Sequence, residues 1–409
     1  VRSRRGLLSS AQALRGMNAM IRTMVVSFVC VGMVAAQEPR TGAPTAKSDG
    51  AVKLSAAGSA KLGAAADKAI GYYRKIQADS GSLAPGDRFE MGITGLAVAG
   101  MLKTKRIAAT DPLIAKAMGF LETHVQPSGG IHPKALDGQA NYLTSIALIA
   151  FQAANEGGKY QKTIDDAVKF LKGGQWSEAA AGGAKVGPED ARYGGFGYSA
   201  KSRPDLSNTS FTIEALASAG VPKDDPAMQR AITFLRRCQN FTGEGGNDKF
   251  IGDKAAADGG FGYNPLESTK GNDPKKGKSP AGGLRSYGSM TYAGFKSFLY
   301  AGVSKDDPRV KAALDWIKAH YTLDENPGMG QQGLFYYFQT FSKALAVAGI
   351  EKLEVDAGTA HDWREQLVNK LAAKQREDGS WANANKQWLE DNPSLATGFA
   401  LLSLAQAMQ

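Results

Sequence analysis

Residues 225–235 read Asp-Pro-Ala-Met-Gln-Arg-Ala-Ile-Thr-Phe-Leu, and two other stretches, 111–121 and 307–317, share their register. Each opens on Asp-Pro and then places apolar side chains three, six, seven, nine and ten positions after the Asp. These are Ile114, Ala117, Met118, Phe120 and Leu121 in the first. In the second they are Met228, Ala231, Ile232, Phe234 and Leu235, and in the third Val310, Ala313, Leu314, Trp316 and Ile317. Apolar positions at this spacing make one face of a helix. The Asp is placed to cap it, and the Pro occupies its first turn, where no amide hydrogen is needed. Ile164, Ala167, Val168, Phe170 and Leu171 repeat the pattern without Asp-Pro, and Leu367, Val368 and Leu371 do so more loosely.

Each such helix leads to one of another kind. Segments 93–100, 143–151, 209–220, 291–302, 340–349 and 397–407 are rich in small residues and nearly lack charge. Most open on Thr, and several close on Ala-Gly, a helix-ending signal. A helix apolar all round is buried all round. The chain thus alternates amphipathic and buried helices at intervals of roughly 50 to 80 residues, a repeat architecture. An open array needs polar terminal repeats. Here the last repeat is as apolar as the middle ones, which predicts ring closure: an all-α (α/α)6 toroid of six inner and six outer helices. On this reading Ile114, Met228 and Val310 face inward from the outer layer.

Composition agrees. Of 409 residues, 43% are hydrophobic and 22% charged, ordinary values for a globular chain. Gly is abundant at 49, suited to turns and helix ends. Two Cys and four His are too few for a disulfide scaffold or a zinc finger. Residues 24–36 form an apolar run of thirteen preceded by Arg22 and followed, after Ala-Ala, by Gln37. That pattern predicts a signal peptide over 1–36, and hence export to a periplasmic or extracellular space. Its removal takes away five arginines and no acid, lowering the formal charge from +10 to +5. What remains is scattered, and no basic helix face predicts nucleic-acid binding. Residues 37–62 read as a flexible linker, and 63–409 as the helical domain.

The connections after the outer helices carry a family resemblance. Phe170-Leu171 with Gln175-Trp176, Phe234-Leu235 with Gln239, and Leu371 with Gln375 and Gly379-Ser380-Trp381 resemble the QW repeat of squalene–hopene cyclases. That repeat is shared in weaker form with protein prenyltransferase β-subunits. Gly194-Gly195-Phe196-Gly197-Tyr198 and Gly259-Gly260-Phe261-Gly262-Tyr263 resemble the glycine-aromatic turns of the same repeats. The resemblance covers residues 65–409 and implies the toroid, with an isoprenoid or other apolar ligand in its cavity. It also implies a structural role for the Gln, which satisfies backbone groups at a helix end.

Catalytic residues of that family are not matched. Its cyclases carry Asp-x-Asp-Asp-Thr-Ala, whose central acid protonates the substrate. Residues 205–210 read Asp-Leu-Ser-Asn-Thr-Ser, with Ser207 in the donor's place. Its zinc-dependent prenyltransferases use Tyr-His-Thr, and residues 337–340 read Tyr-Phe-Gln-Thr, with Gln339 in place of the His. No metal or other cofactor is implied. The remaining candidate catalytic groups are Asp205, which also reads as a helix cap, and Glu214, an acid inside a buried helix. Tyr287, Tyr292, Tyr336, Tyr337 and Gln339 crowd the starts of two inner helices and are candidate ligand contacts. Two other readings stay open: a non-catalytic toroid that binds a lipid, peptide or glycan, and a polysaccharide-acting toroid enzyme.

Overall fold

The computed structural model describes residues 54–243, 257–266, 284–356 and 358–409. The expected signal peptide, most of the expected linker, Cys30 and most of the residues between Gly243 and Leu284 lie outside the described residues.

Twelve α-helices follow one another among the described residues. They are α1 (Ala56–Ile76), α2 (Glu90–Lys103), α3 (Pro112–Glu122), α4 (Ala140–Ala153), α5 (Gln161–Gly173) and α6 (Leu206–Ser218). Then come α7 (Pro226–Cys238), α8 (Gly288–Tyr300), α9 (Pro308–Ala319), α10 (Leu334–Val347), α11 (Trp363–Lys374) and α12 (Pro393–Ala407). Even-numbered helices form the inner ring. Each packs on the next, and α12 packs on α2, so the ring is closed. Odd-numbered helices form the outer layer, and α1 closes it by packing on α11 and α12. Ile114, Met228 and Val310 are buried, as the register predicts. One short antiparallel hairpin, β1 (Leu353–Asp356) with β2 (Thr359–His361), interrupts the helices before α11.

The caps follow the sequence. Asp111, Asp225 and Asp307 each accept the N–H two residues on, at 2.9 Å, with Pro in the first turn. Asp362 caps α11, and His124 and His320 meet carbonyls of the last turns of α3 and α9. The α1 boundary differs from the sequence reading. The helix starts at Ala56, capped by Ser55, so the expected boundary at 63 falls inside it. Its first turns carry Ala, Gly and Ser, a composition shared by linkers, and only its later packing on α11 and α12 betrays a helix.

One joint recurs around the ring. A Gln after the outer helix donates to two carbonyls, one in its own turn and one on the next outer helix. Gln175 reaches Gly194 O and Ala227 O at 2.9 and 2.8 Å, and Gln239 reaches Gly259 O and Arg309 O at 2.9 and 2.7 Å. Gln77 binds Gly81 O and Leu113 O, and Gln375 binds Gly379 O and Ala65 O. The last of these stitches the end of the ring to its beginning. The Gly of each turn has φ between +80 and +97°, and a Cβ there would lie 1.9–2.4 Å from a carbonyl oxygen of the next outer helix. Two residues on, the turn's N–H donates to a Thr of an inner helix: Leu83 to Thr94, Phe196 to Thr209, Phe261 to Thr291 and Trp381 to Thr397. The turn after α3, with Ile131 and Thr144, does the same. These threonines do not open their helices, as the sequence suggests. Each sits three or four residues inside, because its hydroxyl is needed by the turn rather than by the helix end.

Candidate functional site

Each outer helix returns the chain, so the starts of the six inner helices gather at one end. There they surround a cavity of about 440 Å³, within the usual range for small-molecule sites. Gly92, Ile93 and Leu96 of α2, Tyr142, Leu143 and Ile146 of α4, and Leu395 and Phe399 of α12 form its apolar wall. Met290 of α8 and Tyr336 of α10 complete it.

The glycine-aromatic turns deliver two more tyrosines. In each turn the Phe enters the core, and the Tyr two positions on faces the cavity: Phe196 with Tyr198, Phe261 with Tyr263. Their backbones bridge adjacent inner helices. Tyr198 O accepts the N–H of Asn141 and Tyr142 on α4, while Phe196 N binds Thr209 on α6. Tyr263 O accepts Leu206 N of α6, while Phe261 N binds Thr291 of α8. Five tyrosines, 142, 198, 263, 287 and 336, therefore line one space.

Ser207 faces this cavity from the first turn of α6, its Oγ 3.1 Å from the Tyr336 hydroxyl. Asp205 lies behind it, buried, and does not line the cavity. Its Oδ1 accepts Asn208 N at 2.9 Å, its Oδ2 accepts the Asn208 side-chain amide at 2.6 Å, and the Tyr263 hydroxyl also bonds it. Asn208 thus braces the cap and is not itself a cap.

Among the described residues, Glu390 is the one charged group in the lining, and the sequence reading missed it. It arrives on a turn in which Trp388 and Leu389 both take left-handed backbone, at φ 64 and 65°. Such strain in non-glycine residues persists only where surrounding structure enforces it. Glu390 Oε1 accepts Tyr336 N at 2.8 Å, and Oε2 accepts Phe335 N at 3.1 Å and the Asn383 amide at 2.8 Å. It caps α10, which has no cap of its own at Gly333. Burial pushes its carboxyl above the ordinary range, against the pull of Asn383 and of three backbone N–H groups. The available signal was position: an acid just ahead of an inner helix, as Asp205 is.

Of the expected ligand contacts, the structure brings Tyr287 and Tyr336 to the cavity and not Tyr292, Tyr337 or Gln339. Successive helix positions are about 100° apart, so α10 can show only Tyr336 inward. Tyr337 turns away to donate to Thr322 O, and it meets Tyr292 edge-on at 5.7 Å. Gln339 is buried in the helix packing. Glu214 is also elsewhere, on the far half of α6, 2.5 Å from Lys296 Nζ. Burial acts to raise its pKa, but Lys296, Lys343 and Lys103 overcome that and hold it at about 2. It is an ion-pair partner, not an acid. Cys238 is free and buried at the end of α7, and burial pushes its thiol well up. No group of three His, Cys, Asp or Glu stands together among the described residues, and no described helix is long and apolar enough to cross a membrane.

No family model and no curated protein matches the chain. Solved structures do. A variant of type II terpene cyclase MstE from Scytonema, in complex with the substrate geranylgeranyl dihydroxybenzoate, is 13% identical, with a TM-score of 0.50, over 87% of this chain and 99% of its own. The alpha-1,6-mannanase GH76A from Salegentibacter sp. HEL1_6 is 10% identical, with a TM-score of 0.53, over 85% and 98%. A D-mannose isomerase is 13% identical, with a TM-score of 0.53, over 87% and 99%. Identities this low speak for the fold alone, and together with the closed double ring of helices they make this chain an α/α toroid.

Proposed function

We propose that this is an exported protein whose toroid cavity holds a small apolar ligand of isoprenoid type without protonating it. The lining carries the proposal. Aliphatic and aromatic side chains dominate it, and the one hydroxyl at the cyclase acid's position, Ser207, is paired with Tyr336. An alkene is protonated by a carboxylic acid whose proton faces it, held neutral by an apolar setting. Asp205 is spent as a cap, and both oxygens of Glu390 already face N–H donors. Export rests on the pattern of residues 24–36.

The test is binding and product analysis with farnesol, geranylgeraniol and squalene, followed by intrinsic fluorescence and by chromatography of extracts. Saturable quenching with unchanged lipid is expected, weakened in Ile146→Glu, which puts a charge in the apolar wall. A cyclised product that disappears in Glu390→Gln would replace this reading with a cyclase that uses a different acid. A glycan is the second reading, favoured by the tyrosine faces, on which sugar rings stack, and by Gln139 and Gln332 in the lining. Mannose oligosaccharides in the same titration distinguish the two.

A further inference from the structure

The ring of inner helices has a second end, opposite the helix starts. Phe211 lies stacked against Tyr336, ring centres 6.0 Å apart, and Lys296 Nζ lies 5.9 Å from the centre of the same Phe211 ring. Beyond it lie the far halves of the inner helices. The six inner helices carry only five charged side chains: Glu90, Lys103, Glu214, Lys296 and Lys343. Helices α4 and α12 contribute none. Four of the five come together here, three ammonium groups around one carboxylate, each close enough to feel the others' charge.

Glu214 is one carboxylate shared among three lysines. Its Oε2 is 2.5 Å from Lys296 Nζ, and its Oε1 is 3.7 Å from Lys343 Nζ. Lys296 is sealed, whereas the Lys343 side chain keeps 12% exposure and also bonds the Tyr300 hydroxyl. Lys103, at the last position of α2, is half-buried and makes no hydrogen bond or ion pair among the described residues. A charge drawn out of water needs a partner of opposite sign or must be given up. With Lys103 protonated the cluster holds three positive charges against the one negative charge of Glu214.

We propose that this end of the toroid binds a small oxyanion, a carboxylate or phosphate group, between Lys103 and Lys343. The site is separate from the tyrosine-lined cavity and does not depend on what that cavity holds. Lysine ammonium groups supply several rotatable donors and no acceptor, which suits oxygens carrying a negative charge. Burial, and then Lys343 and Lys296, draw Lys103 down to about 7, with Glu214 opposing. Above that pH an arriving anion restores the ammonium, so binding takes up a proton.

The experiment uses the full chain at pH 8. Sodium phosphate and sodium acetate are titrated by calorimetry and followed by melting temperature, each against sodium chloride at matched ionic strength. The expected result is saturable binding of at least one oxyanion, with proton uptake seen as a heat that depends on the buffer. The tighter of the two names the head group. Lys103→Met, which breaks no existing bond, should weaken binding by about tenfold or more. Glu214→Gln, which removes the competing carboxylate, should strengthen it. Anion effects no larger than those of chloride would overturn the proposal. So would undiminished binding in Lys103→Met, or binding in Glu214→Gln no tighter than in the unaltered chain.

Discussion

Gly194 shows how much one missing side chain decides. Its φ is +83°, and an added Cβ would lie 1.9 Å from the carbonyl oxygen of Arg230. Gly220 has nearly the same φ, +81°, but open space where a Cβ would go. Ala at 220 should therefore cost only backbone strain, about 1 kcal/mol. Ala at 194 adds a collision with backbone and should cost at least about 3 kcal/mol or prevent folding. Urea melts of the pair check this, and equal losses would mean the turn gives way more easily than its contacts indicate. Asp205 makes a comparable case for carboxylates. Its oxygens are taken by Asn208 and Tyr263, so Asp205→Ala should lower stability by about 0.5–2 kcal/mol through cap loss. Ligand binding in the cavity should change far less. A mutant that melts normally yet loses ligand would show Asp205 acting on the ligand.

At the level of elements, the inner helices divide their work by end. Their starts shape the tyrosine-lined cavity, and their far halves carry the lysine cluster. Lys103 gives this division a pH signature. Its pKa is about 7 folded against an ordinary 10.5, so the fold favours the neutral amine. The resulting penalty is absent above pH 10.5, grows as pH falls towards 7, and is full below 7. Lys103→Met should accordingly stabilise the anion-free protein by about 1–2 kcal/mol at pH 6. The gain should shrink as pH rises from 7 to 10. Denaturation curves across that range test it, and a gain independent of pH would assign the effect to packing alone. The outer helices and their caps were legible in the sequence because Asp-Pro and the apolar register are local signals. So was the burial of the inner helices. Glu390 was not legible, since its contacts to Phe335, Tyr336 and Asn383 span up to 55 residues. Nor was the choice of Tyr336 over Tyr337, which depends on how α10 is rotated against its neighbours. The partner of Glu214 escaped for the same reason: Lys296 is 82 positions away.

For the molecule as a whole, the ring is held by one kind of joint used repeatedly. Gln239 reaches across 70 positions to Arg309, and Gln375 across 310 positions to Ala65. Loop-closure entropy grows by only about 0.6 kcal/mol per doubling of length. The longer closure therefore carries about 1.3 kcal/mol more by that rule, a small share of a domain's stability. Gln375→Ala and Gln239→Ala should thus lose similar amounts, about 1–3 kcal/mol each, since both strip two carbonyls of a donor. A much smaller loss at Gln375 would mean the ring is in practice a strip with loosely touching ends. Because the closing joint is built like the others, the order in which the chain visits the repeats is interchangeable. Helix α12 packs on α1 as α2 packs on α3, and residues 104–111 are the connector that joins the latter pair. A circular permutant with such a connector between 409 and 55, reopened at the exposed turn Gly157-Gly158, should fold cooperatively to the same helix content. In that molecule the former seam is an interior joint and α4 meets α5 without a connecting loop, so any repeat can serve as the first.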